Sequence, residues 1–171
     1  MPTIDSSFGG PTANSYISLS SANSYMTTVL DVVAWSEASV DMQERALLQA
    51  TRDIDTLRFR GTRYYPAQRL KLPVQLEGDQ AVASLVSTLT GYEYVRMEKA
   101  VQDATCEQAL YLLRIGGRQR HWELRQQGVV SKSEGIGPLS ESYAYSGGRR
   151  VCHEAVTLLG EWLGTPRLVR G

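Results

Sequence analysis

The sequence predicts a mainly α protein: a small helical bundle around a long central helix, with a protruding β-hairpin. Three observations carry that prediction. Apolar residues recur at helical spacing from about Tyr92 to Ile115, a run far longer than a strand. Shorter stretches around residues 44–57 and 151–162 repeat the same period on one face. Residues 128–145 set two short arms about Gly135 and Gly137, the pattern of a hairpin. At 171 residues the chain suits one domain with a proper core. Its 42% hydrophobic and 21% charged residues are those of a globular protein.

Residues 1–15, rich in Ser, Gly and Pro, read as an extended N-terminal arm. The helical core follows over 16–163. Ser18 or Ser20 caps a first helix, in which Ala22, Tyr25, Met26, Val29 and Leu30 recur at helical spacing. Asp41 followed by Glu44 resembles a capping box and opens a stronger helix. There Ala46, Leu47, Ala50, Ile54 and Leu57 form the stripe, Glu44, Arg45, Gln49, Arg52 and Asp53 stay polar, and Gly61 is the stop. Residues 61–79, with Pro66 and Pro73, read as a long loop or short extended pieces. The stretch DQAVASLVSTLTG fits a short helix or a strand equally.

The spine helix carries Met97, Ala100, Val101, Ala104, Tyr111, Leu112 and Ile115 on one face and Cys106, Ala109, Leu110 and Leu113 on the other. Apolar residues on two faces predict a helix sandwiched between others. Gly116 and Gly117 end it. The arms of the hairpin are Val129–Glu134 and Leu139–Tyr145. Val151, Ala155, Leu158, Leu159 and Trp162 mark a last amphipathic helix, stopped by Gly164 and Pro166, and the tail runs over 164–171.

Most enzyme chemistry finds no footing. His121 and His153 are the histidines, and the neighbours Cys152 and His153 would point about 100° apart on a helix, so no metal site is expected. Cys106 and Cys152 sit in apolar patterns and read as buried thiols rather than a disulfide framework. GIGPLS and SGGRR lack the spacing and terminal Lys-Ser/Thr of a phosphate loop. Carboxylates are scattered, and no acid–base pair stands out. The reading is a protein without catalytic residues, metal or cofactor. The N-terminus lacks the basic and apolar regions of a signal peptide, and no apolar run approaches the ~18–20 residues a membrane span needs, so an intracellular protein without membrane contact is expected.

Lys+Arg 18 balances Asp+Glu 18, so no global field draws the chain onto nucleic acid. Lys71, Lys99 and Lys132 are the lysines, which leaves 15 arginines, the residue suited to bidentate pairing with carboxylate or phosphate. The stretch RFRGTRYYPAQRLKLP, residues 58–73, concentrates them. Arg58, Arg60, Arg63, Arg69 and Lys71 are interleaved with Phe59, Tyr64 and Tyr65, without an acid. A basic groove with stacking aromatics is the recipe for single-strand binding. Arginines stacked on their own tyrosines, with Arg58 complementing a helix C-terminus, make the same stretch a structural elbow. The hairpin poses a separate question. A lone two-stranded hairpin is marginal in water, so its edges call for another segment of the chain, such as residues 69–76, or for a neighbouring subunit. Val129, Val130, Lys132, Glu134, Leu139, Glu141 and Tyr143 are its candidate contact residues.

The succession of ANSYISLSSANSYM, ERALLQATRDIDTLRFRG, EKAVQDATCEQALYLL and SEGIGPLSESYA, in that order over residues 13–163, resembles the head–tail adaptor (connector) proteins of tailed bacteriophages. Many of these are labelled DnaT-like single-stranded DNA-binding proteins. The resemblance implies a virion neck protein assembled in the host cytoplasm. It implies a homo-oligomeric ring, commonly a dodecamer, beneath the portal protein, extending the DNA channel and docking a distal neck, stopper or tail-terminator protein. It assigns portal docking to the tail: Gly164, Thr165, Pro166, Arg167, Leu168, Val169, Arg170 and Gly171. The link over residues 77–91 is longer, and the loop after the second helix more basic, than the resemblance implies. Duplex DNA sliding through a lumen should not be gripped, because six to ten phosphate contacts make roughly 10³–10⁵-fold affinity differences over modest salt changes. Most arginines of residues 58–73 are therefore expected at protein interfaces or internal carboxylates. The alternative is a single-stranded DNA-binding accessory protein.

Overall fold

A computed structural model of the chain describes residues 3–75, 87–115, 131–136, 139–144 and 151–164, with side chains described over 3–75, 93–115 and 151–164. The element order is α1 (Leu19–Met26), α2 (Val33–Ser36), α3 (Val40–Ile54), β1 (Thr62–Arg63), β2 (Val74–Gln75), α4 (Ser87–Arg114), β3 (Ser131–Ile136), β4 (Leu139–Ala144) and α5 (His153–Leu159), followed by a 3-10 turn over Gly160–Trp162. The mainly helical class, the long central helix and the hairpin all stand as the sequence predicts.

Ser18 caps α1, its hydroxyl accepting from the Ser21 N–H at 3.2 Å. The helix ends at Met26, where Thr27 and Thr28 turn their hydroxyls back onto the carbonyls of Ser24 and Tyr25, both at 2.7 Å. Val29 and Leu30 thus fall beyond the helix expected to hold them, and Leu30 is fully exposed at 103%. The short α2 that follows escapes the periodicity argument, being a single turn around buried Trp35. Its indole N–H donates to Asn23 Oδ1 at 2.9 Å, and the Gln43 amide donates to the Trp35 carbonyl at 2.9 Å.

The cap of α3 is Ser39, which accepts from the Met42 N–H at 3.4 Å, and not Asp41. Asp41 lies in the first turn, where its charge suits the positive helix end, and pairs with Arg45 at 2.8 Å. Ala46, Leu47, Ala50 and Ile54 are buried as expected, but so is Asp53, which the same pattern assigned to the polar face. The helix ends at Ile54, well before Gly61, because Asp55 is drawn into contacts with Tyr16 and residue 71. Gly61, at φ +84°, instead turns the chain just before β1, which pairs antiparallel with β2 in the register Thr62–Gln75 and Arg63–Val74.

α4 packs chiefly against α3 and α5, with α1 against its middle, where Tyr25 meets Lys99 and Glu107, and Asp31, just before α2, at its end against Arg114. It divides the core by position as well as by face. Met97, Val101 and Ala104 join Tyr16, Ile54, Leu72, Val74, Ala155, Leu159 and Trp162 in one cluster. Cys106, Ala109, Leu110 and Leu112 join Ile17, Ala22, Met26, Trp35, Leu47 and Ala50 in the other. Leu112, expected beside Met97, therefore belongs with the opposite set. Val151 precedes α5, and Leu158 is 38% exposed rather than part of its buried stripe.

β3 and β4 pair antiparallel from Ser131–Ala144 to Ile136–Leu139, and neither pairs with β1 or β2. Residues 74–75, inside the internal edge weighed for the hairpin, are paired by β1. Lys132, Glu134, Leu139, Glu141 and Tyr143 lie in the two strands. Val129, Val130, the segment 76–86 and the tail beyond Gly164 lie outside the described residues.

The N-terminal arm is packed on the body from residue 3 to residue 15, with Ala13 and Ser15 buried and Phe8 against the Tyr16 ring. Its organiser is Asp5. The carboxylate accepts from the Ser7 hydroxyl and the Thr12 hydroxyl, both at 2.6 Å, and from the Ser7 N–H at 3.0 Å. Those bonds, the Ser7 hydroxyl foremost, lower its pKa from 3.8 to about 2. Because the folded-state value is depressed, the contribution of the ionised form is complete above about pH 4 and is lost as pH falls through about 2. An NMR titration following the Ser7 amide should show its midpoint near 2, and Asp5→Asn should abolish the transition. A midpoint at 3.8 would mean the clamp does not form.

Candidate interface at the elbow and the C-terminal root

Residues 58–60 run alongside residues 162–164. Phe59 and Leu163 form an antiparallel bridge, the Arg60 N–H donates to the Trp162 carbonyl at 2.8 Å, and the Gly164 N–H donates to the Arg58 carbonyl at 2.8 Å. The Arg60 guanidinium donates to the Glu161 carbonyl. From the other side Arg96 of α4 pairs with Glu93 at 2.9 Å and Glu161 at 2.7 Å and lies 6.0 Å from the Trp162 ring centre. Both acids raise the pKa of Arg96, Glu93 foremost. Residues 161–164 are thus held from two sides, by residues 58–60 and by Arg96.

The elbow's aromatics form a relay from surface to core. Tyr65 meets Tyr64 edge to face at 4.8 Å, Tyr64 meets Tyr94 at 5.8 Å, Tyr94 meets Phe8 at 5.2 Å, and Phe8 meets Tyr16 at 6.4 Å. The outer two remain 41% and 42% exposed. Burial, with Tyr65 next, pushes the pKa of Tyr94 up to about 12, and its hydroxyl donates to the Phe8 carbonyl at 3.2 Å. Gly9, at φ +76°, lies under Tyr65: a Cβ there would stand 2.6 Å from the ring, so this close approach requires glycine.

The elbow's cations divide into two groups. Arg69 donates to the Thr12 carbonyl at 3.4 Å, and its backbone N–H donates to the Gly10 carbonyl at 3.2 Å. Lys71 Nζ donates to the Leu57 carbonyl at 3.0 Å, just past the end of α3, the place expected for Arg58. Arg58 and Arg63 are exposed, and among the described residues no carboxylate lies within ion-pair distance of either. Nor does the expected stacking of elbow arginines on elbow rings occur there. Among the described residues the cation–π contacts are those of Arg96 with Trp162 and Lys99 with Tyr25.

Three polar side chains that periodicity passes over hold this region together. Gln68, 2% exposed, donates to the carbonyls of Leu70, Lys71 and Pro73 and accepts from the Tyr65 N–H, all at 2.9–3.0 Å. Tyr16 donates to Asp55 at 2.5 Å and accepts from the Leu72 N–H at 3.3 Å. Gln108, in α4, donates to Asp53 at 3.1 Å and accepts from the Cys152 N–H at 2.8 Å. A run of prolines and tyrosines flanking a glutamine is the faint sequence signal for the first. The other two carry none.

Elsewhere the chemistry is quiet. Burial pushes the thiols of Cys106 and Cys152 up to about 12 and about 11, so both are neutral near pH 7. Among the described residues no cluster of His, Cys, Asp or Glu could hold a metal ion, and no helix is long and apolar enough to cross a membrane. An open cleft of about 500 Å³ between α1 and α4 is lined partly by Ser21, Ser24, Thr28 and Gln102, with Lys99 tied to Asp103 at 2.6 Å.

Fold and surface define a mainly helical protein with a hairpin and a basic, aromatic elbow joined to its C-terminal root. Residues 3–171 match the family described as "Putative DnaT-like ssDNA binding protein", and the chain belongs to that family. No curated protein and no solved structure matches it.

Proposed function

We propose that this protein is a non-enzymatic head–tail adaptor. It forms a ring beneath the portal of a tailed phage, extends the DNA channel and docks the next neck protein. The observation that carries the reading is the clip between residues 58–60 and 162–164. It commits the backbone of the elbow and the Arg60 guanidinium to protein contacts, and it gives the tail a rigid root from which to reach a partner. Among the described residues β3 and β4 pair only with each other, which leaves edges suited to strand addition between subunits. The balanced charge suits a ring through which duplex DNA slides.

Single-stranded DNA binding is the second reading. The family description favours it, and so does the exposed trio Arg63, Tyr64 and Tyr65, which joins a cation to two rings. Against it, those rings meet edge to face, and Arg60 and Arg69 are turned to backbone carbonyls.

One sedimentation experiment separates the two. The protein is mixed at near-physiological salt with a cognate portal ring and a labelled single-stranded oligonucleotide, and the run is repeated without residues 165–171. Co-sedimentation with the portal, weakened at least tenfold by truncation and leaving the oligonucleotide free, is the adaptor outcome. Oligonucleotide binding that falls steeply with salt, with the portal ignored, replaces it by the DNA-binding reading.

A further inference from the structure

The balanced charge of this chain is sorted along its length. Residues 1–44 hold Asp5, Asp31, Glu37, Asp41 and Glu44 and neither lysine nor arginine. Residues 58–75 hold Arg58, Arg60, Arg63, Arg69 and Lys71 and no acid. Asp5 stays beside the elbow, where the Ser7 and Thr12 hydroxyls, helped by Arg69, lower its pKa, but the fold carries Asp31 and the segment after it to the opposite end of α4. Arg114, at the end of that helix, reaches the Asp31 carboxylate at 3.1 Å, while Tyr94 and Arg96 lie against Tyr64 and the 160–162 turn. At 1.5 Å per residue, the helix from Arg96 to Arg114 spans about 27 Å.

Each end also carries exposed apolar or aromatic surface. At the acidic end Leu30, Val33 and Met42 are 103%, 57% and 50% exposed. At the basic end stand Tyr64 and Tyr65, beside Arg58 and Arg63 with no acid in reach among the described residues. One copy cannot close its own ends over such a distance, but two copies can.

We propose that the acidic end of one copy, led by Leu30, Val33 and Glu37, docks on the Arg58–Tyr65 elbow of a second copy of this chain. The apolar side chains cover the tyrosine rings, and Glu37, which has no ion-pair partner among the described residues, answers Arg63 and Arg58. Tyrosine and arginine are the residue types that anchor protein interfaces, and opposite potentials fix the orientation. The two faces differ, so the contact is heterologous. Successive copies join head to tail, and the assembly is a ring where the rotation closes. The inference rests on the ring reading above and names the faces that build it.

The test uses two variants of the full chain altered at exposed positions: Leu30→Ser with Glu37→Arg, and Arg58→Glu with Arg63→Glu. Circular dichroism melts check that both fold. In sedimentation velocity, the unaltered protein should build species larger than dimers as its concentration rises. Each variant alone should associate at least about tenfold more weakly. An equimolar mixture of the two should stop at dimers, because each contributes one intact face.

An unaltered protein that stays monomeric, a variant that associates normally, or a mixture without dimers would overturn the proposal. So would an elbow variant that loses oligonucleotide binding but keeps self-association. Portal binding without self-association rejects these faces alone. Self-association through them without portal binding rejects the adaptor reading alone.

Discussion

Replacing Gln108 by leucine is expected to lower the unfolding free energy by about 3–5 kcal/mol. The side chain is fully buried in the middle of α4 and is bonded at both ends of its amide. Its N–H group donates to Asp53, a carboxylate that is 1% exposed on α3. Its oxygen accepts from the Cys152 N–H, one of the donors that the start of α5 cannot satisfy within its own helix. Leucine matches the volume and supplies neither bond. A bond to a charged group is worth about 1.5–3 kcal/mol, and a stranded buried N–H costs about 1–3 kcal/mol more. In a chain of this length that is a fall in Tm of roughly 10 °C. Gln49→Leu, which removes a single bond to the same carboxylate from the partly buried side of α3, serves as the control and should cost less. A Gln108→Leu loss below about 1 kcal/mol would mean the three helices are not joined through this amide.

That network marks the limit of what patterning can read. Helical period is enough to place α3 and α4, and two short arms about a glycine turn place the hairpin, although Gly135, read as part of that turn, pairs with Ser140 inside β3. Buried Asp53 follows no such rule. It lies within reach of Gln108 because α3 and α4 pack side by side, a relation between positions 55 residues apart. For the same reason the end of α3 was misplaced. Gly61 is the nearest local stop, but Asp55 is drawn off by Tyr16 and by the Lys71 N–H from elsewhere in the chain. Single turns such as α2 are too short to show a period at all.

The elbow was legible as a peculiarity and not as a geometry. Its sequence shows five cations and three aromatics, and on composition alone all five are equivalent. The fold separates them. Arg60, Arg69 and Lys71 are spent on backbone carbonyls of the protein itself, and Arg58 and Arg63 are exposed. Single-strand binding would rest on those two and on the outward parts of Tyr64 and Tyr65, a small footprint for a groove that must track a backbone. A protein partner needs only a few such anchors at the centre of a contact. On the adaptor reading proposed above these anchors meet a neighbouring protein, and oligonucleotide binding in the sedimentation experiment would assign them to nucleic acid instead.

Tyr16→Phe is expected to cost about 2–3 kcal/mol at neutral pH and progressively less above pH 10. The hydroxyl lies in the core, where it donates to Asp55 at 2.5 Å and accepts from the Leu72 N–H at 3.3 Å, joining the N-terminal segment to the end of α3 and to the elbow's return. Phenylalanine leaves that N–H without its partner and takes one donor from the carboxylate. The pH dependence follows from the same burial. Desolvation first, and the Asp55 charge next, raise the pKa of Tyr16 well above its ordinary 10.0. A raised folded-state value means the contribution is complete below the unfolded value and is lost as pH rises toward the folded one. Between the two, the unfolded chain releases a proton that the folded chain keeps. The stability gap between the unaltered protein and the Tyr16→Phe variant should therefore narrow by up to about 1.4 kcal/mol per pH unit. Urea unfolding of both proteins from pH 8 to pH 11 measures it directly, and subtraction removes the titration of every other group. A gap that stays constant across that range would show that the Tyr16 hydroxyl is not held neutral against Asp55.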